Sequence, residues 1–322
     1  MTTRRTLLPA VLTAFLLLAV VLVAPASAGG AADTARWPGH QPGKVILGMS
    51  CGAHCTVKER ELGRDYGVHR QFAQWGDWSA VVRKIRSDHA DGRLPWVSVK
   101  GPDRGSPAGW RSVVDHQQDP AIRELAKALK ANDDKPVILT FQHEPSNDGT
   151  EAEGKVWAHA NNQFHSVLKE SGALRNVAFA PVVGDWLFNP KNRAQDPASW
   201  VRPGVLRRAS FLGIDLYEND SGETFVQRLP RIAAWLKTQG FPRKMLGIGE
   251  TAATDARYAA QTAVGFIDES LRWALKHPRR VGVVSYFNST ANSRSAVYWP
   301  LDESPAKLDA FRRWLGDPRA VS

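Results

Sequence analysis

The chain has 322 residues, 43% of them hydrophobic, 23% charged and 9% aromatic, with a formal net charge of +10. Twelve tryptophans and twelve phenylalanines exclude a disordered chain, and the length is enough for a sizeable core. Only one long apolar run occurs, at the N-terminus, which excludes a multi-span membrane protein, and the composition is not that of collagen or a coiled coil.

That first run reads as an export signal. Arg4 and Arg5 precede a nearly uncharged stretch over 7–23, and Pro25-Ala26-Ser27-Ala28 supplies the small residues of a cleavage site. Cleavage after Ala28 makes the product secreted, by the general or the twin-arginine route. It also removes Arg4 and Arg5, lowering the charge from +10 to +8. No cluster of Lys and Arg with interleaved aromatics follows, so nucleic acid is not an expected partner. The expected organisation is a signal peptide over 1–28, a disordered Pro/Gly-rich leader over 29–43 and a single catalytic domain over 44–322.

The two cysteines, Cys51 and Cys55, meet an oxidising compartment after export, and a disulfide closing a short loop is the natural reading. A metal site begun by Cys51, His54 and Cys55 is the alternative. No second cluster of zinc-like spacing follows, so neither metal nor cofactor is expected.

Eight apolar runs with strand character then recur along the chain. They lie at 45–49, 68–75, 95–99, 137–141, 177–181, 211–215, 245–249 and 281–287. Between them stand helical patterns. Ile122, Leu125, Ala126 and Leu129 share one face, started by Asp119-Pro120. Phe225, Leu229, Ile232, Ala233 and Leu236 form a second stripe, and Val264, Ile267, Leu271, Trp273 and Leu275 a third. Leu308, Phe311 and Leu315 mark a last helix. Strands alternating with helices imply parallel pairing, and eight such units fit a single α/β (β/α)8 TIM barrel. A doubly wound open sheet is the rival, but Cys51-Gly52-Ala53-His54-Cys55 is not a phosphate-binding turn.

Catalytic groups of a barrel sit at the C-terminal ends of its strands. The fourth run ends His143-Glu144-Pro145 and the seventh Gly249-Glu250-Thr251. Strand alternation puts Leu246, Ile248 and Glu250 on one face. Strands four and seven oppose each other across a barrel, so Glu144 and Glu250 can flank a glycosidic bond. Trp75, Trp110, Trp186 and Phe287 fall at or beyond strand ends, where flat rings pack against sugar faces.

These features together resemble glycoside hydrolase family 26, the β-mannanase-like family of retaining barrel glycosidases. The likeness rests on His143-Glu144, on Gly247-Ile248-Gly249-Glu250 and on Phe211 to Tyr217. It continues through Tyr286-Phe287-Asn288 and Trp299-Pro300-Leu301-Asp302. It implies Glu250 as nucleophile and Glu144 as acid/base, about 5–5.5 Å apart as retention requires. Tyr217, His143 and Arg70 are implied supports, and Asn147 a substrate contact. A raised Glu144 pKa beside a histidine and an apolar wall, and an ionised Glu250, would suit these roles. The chain departs from the family where Glu144-Pro145-Ser146-Asn147-Asp148 replaces a commoner His-Glu-Met-Asn-Gly continuation, where Thr140 stands in place of an arginine, and where Tyr286 or Phe287 stands for a tryptophan. The expected activity is cleavage of a β-linked polysaccharide by a monomer. The alternatives are a carbohydrate-binding barrel without turnover and a metal-assisted hydrolase.

Overall fold

The computed structural model describes residues 36–322 apart from 53, 133, 259 and 291–296. The export signal and the leader up to residue 35 lie outside the described residues. All eight predicted runs form strands: β1 (Val45–Ser50), β2 (Val68–Ala73), β3 (Leu94–Val99), β4 (Val137–Phe141), β5 (Val177–Phe179), β6 (Val182–Gly184), β7 (Leu212–Asp215), β8 (Leu246–Thr251) and β9 (Val281–Phe287). The fifth run forms β5 and stops at Ala180-Pro181, where proline has no N–H to give, and β6 follows just beyond the predicted run. A two-residue strand that the periodicity did not announce, β10 (Ala320–Val321), pairs with β1.

Every pairing is parallel, in the order β5-β4-β3-β2-β1-β9-β8-β7-β6. The two ends of this path belong to one chain segment. Ala180 donates to the Leu139 carbonyl at 2.9 Å on one side, and Gly213 donates to the Pro181 carbonyl at 2.8 Å on the other. The sheet is therefore strongly curled, and helices ring its outer face.

The predicted helices lie at Asp119–Lys130, Phe225–Thr238, Ala263–Lys276 and Pro305–Leu315. Their starts follow from local chemistry. Thr224 and Gln227 satisfy each other's backbone N–H groups as a capping box, and Ser304 caps the last helix through the Lys307 N–H. Among the described residues no helix is long and apolar enough to cross a membrane.

Two apolar layers result. Alternate strand residues such as Leu47, Val97, Leu139 and Ile248 join the helix stripes in the outer layer. Ile46, Val68, Trp96, Ile138, Val182, Phe211 and Val283 fill the inside of the curl. Trp37 belongs to this inner layer, which corrects the expectation of a disordered leader: its ring lies 5.0 Å from Phe211, and its indole N–H faces the Met245 sulfur at 3.3 Å. A large apolar ring removed from water in this way outweighs the ordering cost of the short segment that carries it. Trp37→Ala should lower unfolding free energy by about 3–5 kcal/mol. Urea denaturation checks this, with an unchanged midpoint as the contrary result.

Candidate active site

The end of β4 is shaped by its backbone. Gln142 and Glu144 both adopt left-handed conformations, with φ of 43° and 47°. Such residues cost of order 1–3 kcal/mol each and persist where their surroundings hold them. Here the Gln142 side chain, fully buried, accepts from the Gly101 N–H at 2.8 Å and donates to Asp148 at 2.5 Å. Glu144 is anchored by its own N–H on the Val182 carbonyl, and its carboxylate accepts from Asn147 Nδ2 at 3.0 Å.

Glu250 reaches the cleft by a different device, and simple alternation fails there. Leu246 and Ile248 belong to the outer layer, whereas Glu250 contacts Arg70 and Tyr217 on the cleft side. The register explains the reversal. Ile214 faces Ile248 but Asp215 faces Glu250, and Val284 faces Ile248 while Tyr286 faces Thr251. One residue is extra on β8, a β-bulge that turns the following side chain to the other face. Gly249 occupies the insertion, and a Cβ there would sit 2.5 Å from Asp215 Oδ1 and 3.5 Å from the Trp96 ring.

Around Glu250 the supports are close. Tyr217 Oη donates to Oε2 at 2.5 Å, and Arg70 Nη2 lies 3.8 Å from Oε1. Arg70 is fully buried, donates to Ser98 Oγ at 2.7 Å and lies over the rings of Phe72 and Trp96 at 5.0 and 4.9 Å. Tyr217 is in turn held by Arg228, which donates to its carbonyl at 2.6 Å and pairs with Asp185 at 2.9 Å.

The electrostatics separate the two glutamates. Burial, then the negative charge of Glu250, pushes the Glu144 carboxyl up to about 8. Glu144 is only half-buried, so water in the open cleft moderates this rise until a ligand displaces it. Burial also raises Glu250, but Arg70 and the Tyr217 hydrogen bond, which favour the expected ionised form, oppose it. Asp215, buried beside both, is raised well above its ordinary value by burial and by the two glutamates. The proton held among these groups is therefore best placed on the Glu144 and Asp215 side. His143 is not what raises Glu144. Burial, Arg70 and Lys100 hold its imidazole down to about 3, so it is a neutral ring, 5.1 Å from Phe72.

Glu144, Glu250, His143 and Tyr217 line a cleft of about 840 Å³, with Phe72, Phe287 and Trp299 as its aromatic walls and Lys100 paired with Asp148 at 3.2 Å on its rim. Glu144, Asn147 and Tyr217 also border a smaller hollow of about 240 Å³, walled by Trp186 and Gln195. Glu144 thus stands between two recesses. Of the expected sugar-facing residues, Asn147, Trp186 and Phe287 line these recesses, and Trp186 is 52% exposed. Trp110 and Trp75 do not line them. Trp110 is fully buried and packs edge-on against Trp200. Trp75 packs against Trp78, Phe141 and Phe164, with its indole N–H on Gln118. Both complete the apolar packing behind the strand ends. Trp299 and Asp215 were missing from the expected site. The loop of Trp299 is pinned by the buried Lys307 ammonium, which donates to the carbonyls of Ala253, Trp299 and Pro300.

Cys51 and Cys55 form a disulfide, with Cα atoms 5.2 Å apart. His54 is exposed.

The fold is shared with known structures. An endo-β-1,4-mannanase of Cellulomonas fimi aligns over 86% of this chain and 72% of its own, at 15% identity and a TM-score of 0.60. A protein described as GH26C from Muricauda sp. aligns over 86% and 87%, at 14% identity and a TM-score of 0.58. The Bacillus subtilis mannanase BCman aligns over 90% of both chains, at 12% identity and a TM-score of 0.58. No family model matches the sequence, and no curated protein matches it. The likeness is one of architecture: an α/β fold with a curled parallel sheet ringed by helices.

Proposed function

We propose that the protein is a secreted retaining glycoside hydrolase of the mannanase kind, acting as a monomer on a β-linked polysaccharide. One observation carries the reading: two carboxylates of different electrostatic setting, Glu144 and Glu250, border a single aromatic-walled cleft. The architecture shared with mannanases and the disulfide agree with it. The curled sheet serves as a closed (β/α)8 barrel whose fifth position is the split β5–β6 segment.

In this mechanism Glu250 attacks the anomeric carbon while Glu144 gives its proton to the departing glycosidic oxygen. Arg70 and Tyr217 keep the attacking oxygen pair aimed and charged. A covalent glycosyl-enzyme forms, and Glu144, now a carboxylate, takes a proton from the water that releases the sugar. His143, neutral, offers a hydrogen bond to a sugar hydroxyl. Phe287, Trp299 and Trp186 give flat apolar surfaces to the rings.

A reducing-sugar screen over mannan, mixed-linkage glucan, xylan and bacterial cell-wall glycans tests the reading. Release from a β-mannan, with the first-formed anomer retained by NMR, is the expected result. A folded protein that binds these polymers but releases nothing is a carbohydrate-binding barrel. An inverted product rules out the double displacement.

A further inference from the structure

On the outer face of β2, away from the cleft, a second group of reactive side chains converges. His69 lies at the back of a cavity of about 330 Å³ that Cys55 and Asp88 also line. His69 Nδ1 faces Asp88 Oδ1 at 2.7 Å, and Asp88 accepts from Gln71 Nε2 at 2.5 Å, with Arg93 Nη1 3.8 Å away. With the Nδ1 proton directed to Asp88, the lone pair of the imidazole is on Nε2. That atom is buried without a hydrogen-bond partner, in a side chain only 6% exposed. An unpaired buried polar atom is costly, and in a native site it asks for a ligand. One ligand atom of His69 and the sulfurs of Cys51 and Cys55 all lie within 4.8 Å of one another.

We propose that, when the Cys51–Cys55 disulfide is reduced, the two sulfurs and His69 Nε2 form a zinc site. Ordinary Zn–S and Zn–N lengths of about 2.3 and 2.0 Å at tetrahedral angles place ligand atoms about 3.5–3.8 Å apart. Breaking the S–S bond frees both cysteine side chains to rotate toward that spacing, from ligand atoms that already lie within 4.8 Å of one another. Two thiolates neutralise the cation, so the metal and its ligands bury no net charge. The Asp88–His69 contact is the outer-shell carboxylate that fixes the tautomer of zinc-bound histidines. The fourth position opens to the cavity, where water fits. The steps balance. A phosphine is oxidised to its oxide with one water while the disulfide becomes two thiols. Zn²⁺ then displaces both thiol protons to solvent.

The test uses the secreted chain, reduced by a phosphine without oxygen and titrated with Zn²⁺, with far-UV circular dichroism followed throughout. One equivalent should bind, releasing two protons, and Co²⁺ should give a tetrahedral spectrum with a thiolate charge-transfer band. His69→Ala should weaken affinity by at least ~100-fold and Asp88→Asn by about 10–100-fold. Binding by the disulfide form to the same extent, no binding by the reduced form, or unchanged affinity in His69→Ala overturns the proposal. So does a reduced chain that unfolds and does not refold with one equivalent of Zn²⁺. Polysaccharide cleavage is not the readout, so this result stands or falls apart from the proposed activity.

Discussion

Glu250→Gln should bring polysaccharide cleavage down by roughly 10⁴-fold or more, as removal of a nucleophile does in enzymes that work through covalent intermediates. The amide is nearly the same size, so the pocket stays filled, but it has no charge with which to attack the anomeric carbon. The loss should extend to activated aryl glycosides, because bond formation to the enzyme fails whatever the leaving group. Tyr217→Phe offers a graded comparison. It deletes the 2.5 Å hydrogen bond while leaving the carboxylate in place. A hydrogen bond to a charged group contributes about 1.5–3 kcal/mol, which corresponds to a loss of about 10–150-fold. Unimpaired turnover in Glu250→Gln would assign the nucleophile elsewhere. Thermal melts of both variants separate chemistry from folding.

Glu144 should govern the alkaline side of the pH profile. Its carboxyl, raised to about 8, must hold a proton to act as an acid, so activity falls as pH rises through that region. A bound sugar displaces water from the half-open side chain. The limb in kcat, which reports the complex, should therefore lie near pH 8, and the limb in kcat/KM somewhat lower. Glu144→Ala should remove this limb and cost about 10²–10⁴-fold on polysaccharide. It should cost less on aryl glycosides that depart without a proton, and added azide should restore part of the activity as a glycosyl azide of retained configuration. Linkage gives a second readout. A folded pKa above the unfolded one contributes stability that is lost as pH rises through the folded value. Glu144→Gln should therefore be more stable than the parent above pH 8. An alkaline limb that persists in the variant would place the acid on another group.

Much of this arrangement was legible in the sequence because a curled parallel sheet ringed by helices imposes a strong regularity. Eight strand runs alternate with amphipathic stripes, and the two glutamates that border the cleft close the fourth and seventh runs. Tyr217 and Arg70 came from the family resemblance, and both lie against Glu250. What escaped notice lacks a periodic signal. The burial of Trp110 depends on its contact with Trp200, 90 positions later in the chain. Trp299 faces the cleft only because Lys307 and Tyr286 bind the carbonyls of its loop. Trp37 looks like part of a polar leader until the inner layer it completes is known. Asp215 is an ordinary strand end in sequence, and its significance comes from two glutamates brought to it by other strands.

The inserted residue in β8 means that the direction of Glu250 is decided by a count of residues and not by their chemistry. Removing Gly249 would deprive the chain of no side chain at all, yet it would swing the carboxylate outward among the aliphatic groups that join sheet to helices. The penalty would then fall on folding as well as on turnover, because a carboxylate there has neither Arg70 nor Tyr217 beside it. A shortened strand is thus no route to an inert but sturdy copy of this protein, whereas a change of the side chain alone leaves the scaffold intact.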